Sequence, residues 1–202
     1  KNFNKAITLI EKTLVIYPNN FELNFKLGLV YNVLGKLNES INYYQKSVSI
    51  NPNFSPAYCN LGIIYDKLNN KDLAIKNYLT AIKVDPKNSN AHYNLANTYF
   101  NIEDFNNAEK HYFFSIDTNS KNIYAYNNLL QIYDRTNDNV KLDKLVEKAK
   151  KVFGKNKVIS FFEGISEYKK NNYKRIIELY KNLELDPNDK VKNIVKSNIL
   201  AK

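Results

Sequence analysis

The chain has 202 residues, of which 44% are hydrophobic and 25% are charged, and its formal net charge is +10. No apolar run approaches the roughly 18 uninterrupted residues that a membrane helix needs, so the sequence predicts no transmembrane segment. A single cysteine, Cys59, excludes a disulfide within the chain. The first residues lack the apolar core of a signal peptide, and we therefore expect a cytoplasmic protein, with the nucleus as the alternative.

A period of 34 residues runs through the sequence. Four series of identical residues keep this step: Pro18, Pro52 and Pro86; Leu27, Leu61, Leu95 and Leu129; Tyr31, Tyr65, Tyr99 and Tyr133; and Tyr44, Tyr78 and Tyr112. Several independent columns with one period indicate a repeated structural unit, each burying its apolar side on its neighbours. The chain is therefore predicted to be a repeat array rather than a domain with a single core.

Each unit divides into two stretches with helical spacing of apolar residues, separated by a short turn. Ser55 is the predicted N-cap of the first helix in the unit at 55, with Pro56 at the first helical position. Left-handed residues are predicted to end the first helices at Gly35, Asn69, Asn137 and Asn171. Prolines end the second helices, at positions 18, 52, 86 and 187.

In chain order, the array is predicted to open with the second helix of a truncated repeat at 1–18, so that further sequence is expected before it. Regular repeats follow at 21–54, 55–88 and 89–122. Divergent repeats follow at 123–156 and 157–187, where Leu142, Val146, Glu163 and Glu167 depart from the column pattern. Residues 188–202 carry one apolar stripe, which is typical of a capping helix.

Small residues alternate with large aromatic ones in a pattern that resembles the tetratricopeptide repeat family. The residues of the unit at 55 that carry the resemblance are Tyr58, Leu61, Gly62, Tyr65, Ala74, Tyr78, Ala81 and Pro86. The resemblance implies an all-α, right-handed superhelical solenoid of antiparallel helix hairpins. It also implies a non-catalytic scaffold that binds an extended peptide or protein segment in a concave groove lined by the first helices.

No catalytic constellation is visible in the sequence. The two histidines, His92 and His111, and Cys59 are too few and too scattered for a zinc site, and His92 falls in a packing column. Glu103 and Asp104 fall at a predicted turn, where negative charge at a helix start accounts for them. We expect no enzyme activity, no cofactor and no metal. An alternative is that the chain is the substrate-presenting repeat arm of a larger enzyme.

Asn60, Asn94 and Asn128 occupy one column of the predicted groove. Stacked carboxamides offer a donor and an acceptor to a peptide backbone, and the column is similar to the one lining the repeat region of O-linked N-acetylglucosamine transferases. Because asparagine is about a sixth of the chain, chance and genome composition are the competing explanation. The further predicted groove contacts are Tyr93, Asn97, Tyr124, Asn127 and Gln131.

The charged residues bear on two other classes of partner. The lysine and arginine positions of the carboxylate clamp that binds heat-shock chaperones are not matched in any of three alignments, so that partner is not expected. Residues 136–202 carry 16 basic and 9 acidic side chains, an excess of +7. A basic adaptor for acidic protein, RNA or an anionic membrane is therefore the alternative, with solvated lysines as the competing explanation. The predicted patch comprises Lys144, Lys148, Lys151, Lys155, Lys170, Lys174 and Arg175.

Overall fold

The computed structural model describes residues 3–154 and 156–181, without the side chains of residues 180 and 181. These residues form eleven α-helices and no strand: α1 (Phe3–Ile16), α2 (Phe21–Val33), α3 (Leu37–Ile50), α4 (Ser55–Lys67), α5 (Lys71–Val84), α6 (Ser89–Asn101), α7 (Phe105–Thr118), α8 (Ile123–Arg135), α9 (Asn139–Phe153), α10 (Lys157–Lys169) and α11 (Tyr173–Lys181). The fold is an all-α helical repeat, as the period predicts. The predicted capping helix at 188–202, its preceding proline and Lys155 lie outside the described residues.

The described helices fall into two compact units. Residues 3–118 contain α1 to α7, in which α2 packs on α3, α4 on α5 and α6 on α7 as helical hairpins. Residues 119–181 contain α8 to α11, in which each helix packs on the next. Consecutive hairpins of the first unit meet through the pairs α3 with α4 and α5 with α6.

One residue in each hairpin turn has a left-handed backbone. The φ angles are +74° at Gly35, +58° at Asn69, +61° at Glu103, +54° at Asn137 and +59° at Asn171, all 34 residues apart. A left-handed residue after a helix lets the backbone reverse direction at once, and glycine and asparagine reach this region at the lowest cost. The predicted helix ends at Gly35, Asn69, Asn137 and Asn171 are confirmed. The remaining turn, the third in chain order, has Glu103 at this position.

The predicted capping role of Ser55 is wrong. Phe54 is the N-cap residue of α4, and Ser55 is the first helical residue. Pro56 is therefore the second helical residue and not, as predicted, the first. The Ser55 hydroxyl is buried and donates to the Ala81 carbonyl at 2.9 Å, while Asn88 Nδ2 donates to it at 2.8 Å. The Ser55 hydroxyl therefore forms tertiary hydrogen bonds with the end of α5 and the start of α6 and does not cap its own helix.

A glycine against a tyrosine sets the helix separation in two hairpins. A Cβ placed on Gly28 would lie 2.5 Å from Tyr44 Cδ1, and one on Gly62 would lie 2.5 Å from Tyr78 Cε1. Both tyrosines are fully buried. Because a Cβ at either glycine would overlap the ring in these two hairpins, the large and small columns of the sequence are two halves of one packing contact.

Asp66 ties the second hairpin to the third. Its carboxylate accepts hydrogen bonds from Tyr78 Oη at 3.0 Å and from Thr98 Oγ1 of α6 at 2.6 Å, and it pairs with Lys71 Nζ at 3.0 Å. Lys71 and Tyr78 belong to α5, and Thr98 belongs to α6. One carboxylate thus links both helices of its own hairpin to the first helix of the next.

The segment predicted to hold the divergent repeats has a core of different composition. Leu142 and Val146, which replace the usual small and aromatic residues, are buried in α9. Glu163 occupies the leucine column and is also buried. Its carboxylate pairs with Lys150 Nζ at 3.0 Å and with Arg175 Nη2 at 3.4 Å. A buried carboxylate is tolerated when cations and hydrogen bonds compensate its lost hydration.

Candidate functional site

The first helices of consecutive repeats adjoin within each unit. In residues 3–118, α4 contacts α6, and in residues 119–181, α8 contacts α10. The sequence-predicted groove residues all lie on these helices: Asn60 on α4; Tyr93, Asn94 and Asn97 on α6; and Tyr124, Asn127, Asn128 and Gln131 on α8. Each unit therefore has a first-helix surface of its own that carries part of the predicted site.

On the first-helix surface of residues 3–118, Asn60 and Asn94 hold equivalent positions on α4 and α6. Both side chains are half-buried. Within the described residues, no hydrogen bond is made by the Asn60 side chain. Asn94 Nδ2 lies 3.9 Å from Cys59 Sγ, and a thiol is a weak acceptor. Both carboxamides therefore keep hydrogen-bonding capacity that the described residues do not use.

Asn97 is held differently from Asn60 and Asn94, which together with Asn128 we call the ladder residues. Tyr112 Oη donates to Asn97 Oδ1 at 2.7 Å, and the Tyr93 and Tyr112 rings are 6.0 Å apart. These contacts join α6 to α7. The carbonyl oxygen of Asn97 thus has a role in packing the hairpin, which spacing alone did not indicate.

On the first-helix surface of residues 119–181, Asn127 Nδ2 donates to Asn128 Oδ1 at 3.4 Å, a long hydrogen bond. Tyr124, one turn before Asn128, is 68% exposed. Asn127 and Gln131 are half-buried and line a cavity of about 500 Å³ between α8 and α10. The complete lining of this α8–α10 cavity is Asn127, Gln131, Asp134, Arg135, Lys157, Val158, Phe161 and Phe162.

The histidines that appear scattered in the sequence meet in the structure. His92 Nδ1 and His111 Nδ1 are 2.9 Å apart, and both rings are buried between α6 and α7. His92 Nε2 lies 3.2 Å from the Pro86 carbonyl, which can only accept, so His92 carries its proton on Nε2 and His111 donates from Nδ1. The prediction that His92 belongs to the core is confirmed.

A column comparison would have predicted one contact of His111, its stacking on Tyr99. His111 stacks on Tyr99 at 5.9 Å, and the residues 68 positions earlier, Tyr31 and Tyr43, stack on each other at 5.3 Å. The repeat therefore brings these two columns together in every hairpin that has flat side chains there. Within the described residues, no group of three or more His, Cys, Asp and Glu side chains is placed to hold a metal ion.

Cys59 has the environment of a packing residue rather than of a nucleophile. Its side chain is 6% exposed, and burial raises the pKa of the thiol to about 11. The thiolate is the reactive form of cysteine, and at neutral pH a group with this pKa is almost entirely protonated. The contact with Asn94 lowers the pKa slightly but does not offset the effect of burial.

The predicted basic patch divides into paired and unpaired cations. Lys170 Nζ lies 2.8 Å from Asp143 Oδ2, and Arg175 Nη1 lies 2.8 Å from Glu178 Oε2. Lys144, Lys148 and Lys151 share one exposed face of α9, as their spacing predicts. Among the described side chains, Lys144, Lys151 and Lys174 make no ion pair.

Three family models match the central part of the chain. One described as tetratricopeptide repeat matches residues 55–88, a second with the same description matches residues 77–110, and one described as TPR repeat matches residues 28–69. Residues 28–110 of the chain are therefore tetratricopeptide repeats (TPR). No match was found among curated protein sequences.

Several solved structures resemble this TPR protein. MamA has 27% sequence identity and a TM-score of 0.65, with 85% of this chain and 92% of MamA covered. PilF of Pseudomonas aeruginosa has 14% identity and a TM-score of 0.77, covering 100% of this chain and 90% of PilF. YrrB, described as a TPR protein with an unusual peptide-binding site, has 14% identity and a TM-score of 0.75, covering 93% and 97%. At these identities, PilF and YrrB show that the fold is shared.

No helix in the described part of this TPR protein is long and apolar enough to cross a membrane. TPR arrays are interaction modules, and stacked repeats of this kind present extended binding surfaces to other proteins. The repeat architecture is accordingly that of a protein-interaction scaffold.

Proposed function

We propose that this TPR protein is a non-catalytic scaffold that binds an extended peptide or protein segment on its first-helix surfaces. The observation that carries the proposal is the pair Asn60 and Asn94. These carboxamides lie at equivalent positions on adjoining helices, are half-buried, and have no strong hydrogen-bond partner among the described residues.

Paired carboxamides suit a peptide backbone for a chemical reason. Each offers one acceptor oxygen and two donor hydrogens, which match the N–H and C=O groups that every residue of an extended peptide presents. Binding of this kind does not depend on the peptide's side chains, so neighbouring residues must supply specificity. Peptide binding is described for YrrB, whose fold this chain shares.

A binding role without catalysis agrees with the chemistry of the two first-helix surfaces. Cys59, the only thiol in the chain, is buried with a raised pKa. The two histidines are buried in the hairpin between α6 and α7, where the rings contact each other. The sequence-predicted groove residues on these surfaces are amides and tyrosines, which bind but do not transfer protons at neutral pH.

The proposal predicts that removing the ladder carboxamides weakens peptide binding without loss of fold. Peptides are first selected against the wild-type chain from a random library displayed on phage. The dissociation constant of the tightest one is then measured by fluorescence anisotropy with the variant Asn60→Ala/Asn94→Ala/Asn128→Ala. Because each lost hydrogen bond is worth about 0.5–1.5 kcal/mol, we expect affinity to fall by about tenfold or more.

The matched control is Asn42→Ala/Asn106→Ala/Asn139→Ala, which makes the same chemical change at exposed positions on α3, α7 and α9. We expect this control to bind as the wild type does. Circular dichroism of both variants should show unchanged helix content. Equal affinities of the ladder variant and the wild type would contradict the proposal, as would an equal loss in the control.

A further inference from the structure

The α8–α10 cavity is the part of the molecule that carries a more specific inference. Its volume of about 500 Å³ lies within the range of sites that hold small ligands or single side chains. Its lining comes from the first helices of two consecutive repeats. Two of the sequence-predicted groove residues, Asn127 and Gln131, belong to it.

The apolar part of the cavity is formed by one side of α10. Phe161 and Phe162 are in edge-to-face contact, with ring centroids 5.1 Å apart. Phe162 is 3% exposed and belongs to the core, whereas Phe161 and Val158 are half-buried and face the cavity in part. One partly exposed ring beside a valine fits a single apolar side chain.

The charged part of the cavity is positive. Arg135, the last residue of α8, and Lys157, the first residue of α10, are exposed and line it. The only carboxylate in the lining, Asp134, pairs with Lys169 Nζ at 2.8 Å, so its charge is offset. The lining of this cavity therefore contains two cations and one carboxylate, whose charge Lys169 offsets.

The polar part of the cavity is formed by amides. Asn127 and Gln131 lie one turn apart on α8. Asn127 Nδ2 donates the long 3.4 Å bond to Asn128 Oδ1, and within the described residues the Gln131 side chain makes no hydrogen bond. Such amides can bond to the backbone on either side of an inserted side chain.

From these three features together, we infer that the α8–α10 cavity binds an acidic peptide segment, with one apolar side chain against Phe161 and flanking carboxylates near Arg135 and Lys157. The inference rests on the proposed function and names the class of peptide for this surface. Residues 136–202 carry a formal charge of +7, which further favours an acidic ligand over a basic one. A peptide is favoured over RNA because the cavity offers one partly exposed ring rather than a series on which bases stack.

The test compares ligands that differ only in charge. Three fluorescein-labelled octapeptides share a central leucine and phenylalanine, and their flanking residues are aspartates, asparagines or lysines. Binding to the full chain is measured by anisotropy at 50 mM salt. We expect the aspartate peptide to bind about tenfold tighter than the asparagine peptide, which lacks the two charge-assisted contacts. The lysine peptide should bind weakest, because its charges repel Arg135 and Lys157.

Protein variants locate the effect. Arg135→Gln/Lys157→Gln should weaken the aspartate peptide by about tenfold and leave the asparagine peptide unchanged. The matched control, Lys144→Gln/Lys151→Gln, removes the same charge from the exposed face of α9 and should bind as the wild type does. Phe161→Ala should weaken the aspartate and asparagine peptides alike, since it removes the apolar contact.

Three outcomes would overturn the inference. Equal affinities for the aspartate and asparagine peptides would show that the cavity does not distinguish ligands by charge. The proposed function would be unaffected by that result, because the experiment with the ladder variant uses a separately selected peptide. An equal loss in the α9 control would assign the effect to net charge. Displacement of the aspartate peptide by an equimolar uridine octanucleotide would make RNA the ligand of this surface.

Discussion

Single asparagines stabilise this protein at the ends of its helices. The side chains of Asn20, Asn70, Asn88, Asn122 and Asn156 accept hydrogen bonds from backbone N–H groups two or three residues later and so cap α2, α5, α6, α8 and α10. Asn69, Asn137 and Asn171 hold left-handed turns. The high asparagine content therefore has structural uses, whatever its origin in genome composition.

The buried histidine pair predicts a loss of stability in mild acid. Burial, together with the smaller effects of the His92 and Lys110 charges, lowers the pKa of His111 to about 4. Burial also lowers the pKa of His92, against smaller opposing effects of the Pro86 carbonyl and Asp85. A histidine whose folded pKa is lowered stabilises the fold above its unfolded pKa, about 6.5, and this contribution is lost as pH falls toward the folded value.

We expect the free energy of unfolding to fall by about 2 kcal/mol between pH 7.5 and pH 5 through His111. The measurement is urea unfolding at both pH values for the wild type and for His111→Asn, which introduces the residue found one repeat earlier at Asn77. Carboxylates titrate in both proteins, so the difference between them isolates the histidine. An identical pH dependence in the two proteins would contradict the assignment.

At the scale of the helical hairpin, the contact between Gly62 and Tyr78 predicts the cost of adding one methyl group. Gly62→Ala should lower the free energy of unfolding by about 1–3 kcal/mol because the new Cβ overlaps the ring. Helix propensity acts in the opposite direction, since alanine is favoured over glycine by about 1 kcal/mol. Urea unfolding therefore distinguishes the two effects by sign.

Tyr78→Leu provides the control for that substitution. If the ring is the cause, Gly62→Ala should cost less in the Tyr78→Leu background than in the wild type, which a double-mutant cycle measures as a coupling energy. No coupling between the two positions would mean that the glycine is needed for some other reason.

The hairpin turn at Glu103 is the one described turn of its kind with neither glycine nor asparagine. A left-handed backbone costs a glutamate more than an asparagine, because asparagine tolerates this region. Glu103→Asn should raise the free energy of unfolding by about 0.5–1 kcal/mol. Thermal unfolding of this variant beside Glu103→Gln, which removes the same charge without the backbone benefit, separates the causes. A similar gain from both would point to charge.

At the scale of the whole chain, the positive charge of the C-terminal third is partly compensated in the structure. Glu163 holds Lys150 and Arg175, Asp134 holds Lys169, and Asp143 holds Lys170. The surface available to a polyanion is therefore smaller than the excess of +7 suggests. Arg135 and Lys157 at the α8–α10 cavity form a small, local group of cations, which suits a short acidic segment better than an extended polyanion.

The repeat fold and its core could be predicted from the 34-residue period. Leu27, Leu95 and Leu129 are fully buried, as are Tyr44 and Tyr112, because a residue's column fixes which side of its helix faces the neighbouring helix. The left-handed turns at Gly35 and Asn69 were predictable for the same reason, since few residue types adopt that backbone.

The tertiary structure decided which polar side chains bond from one helix to another. Asn97 bonds to Tyr112, Ser55 bonds to Ala81, and His92 meets His111, all through partners 15 to 26 residues away in sequence. The α8–α10 cavity likewise combines residues from neighbouring repeats. Periodicity predicts which face a residue occupies, because that depends on helix geometry alone. It does not predict which distant atom completes a hydrogen bond, because that depends on how the packed helices bring individual atoms within about 3 Å.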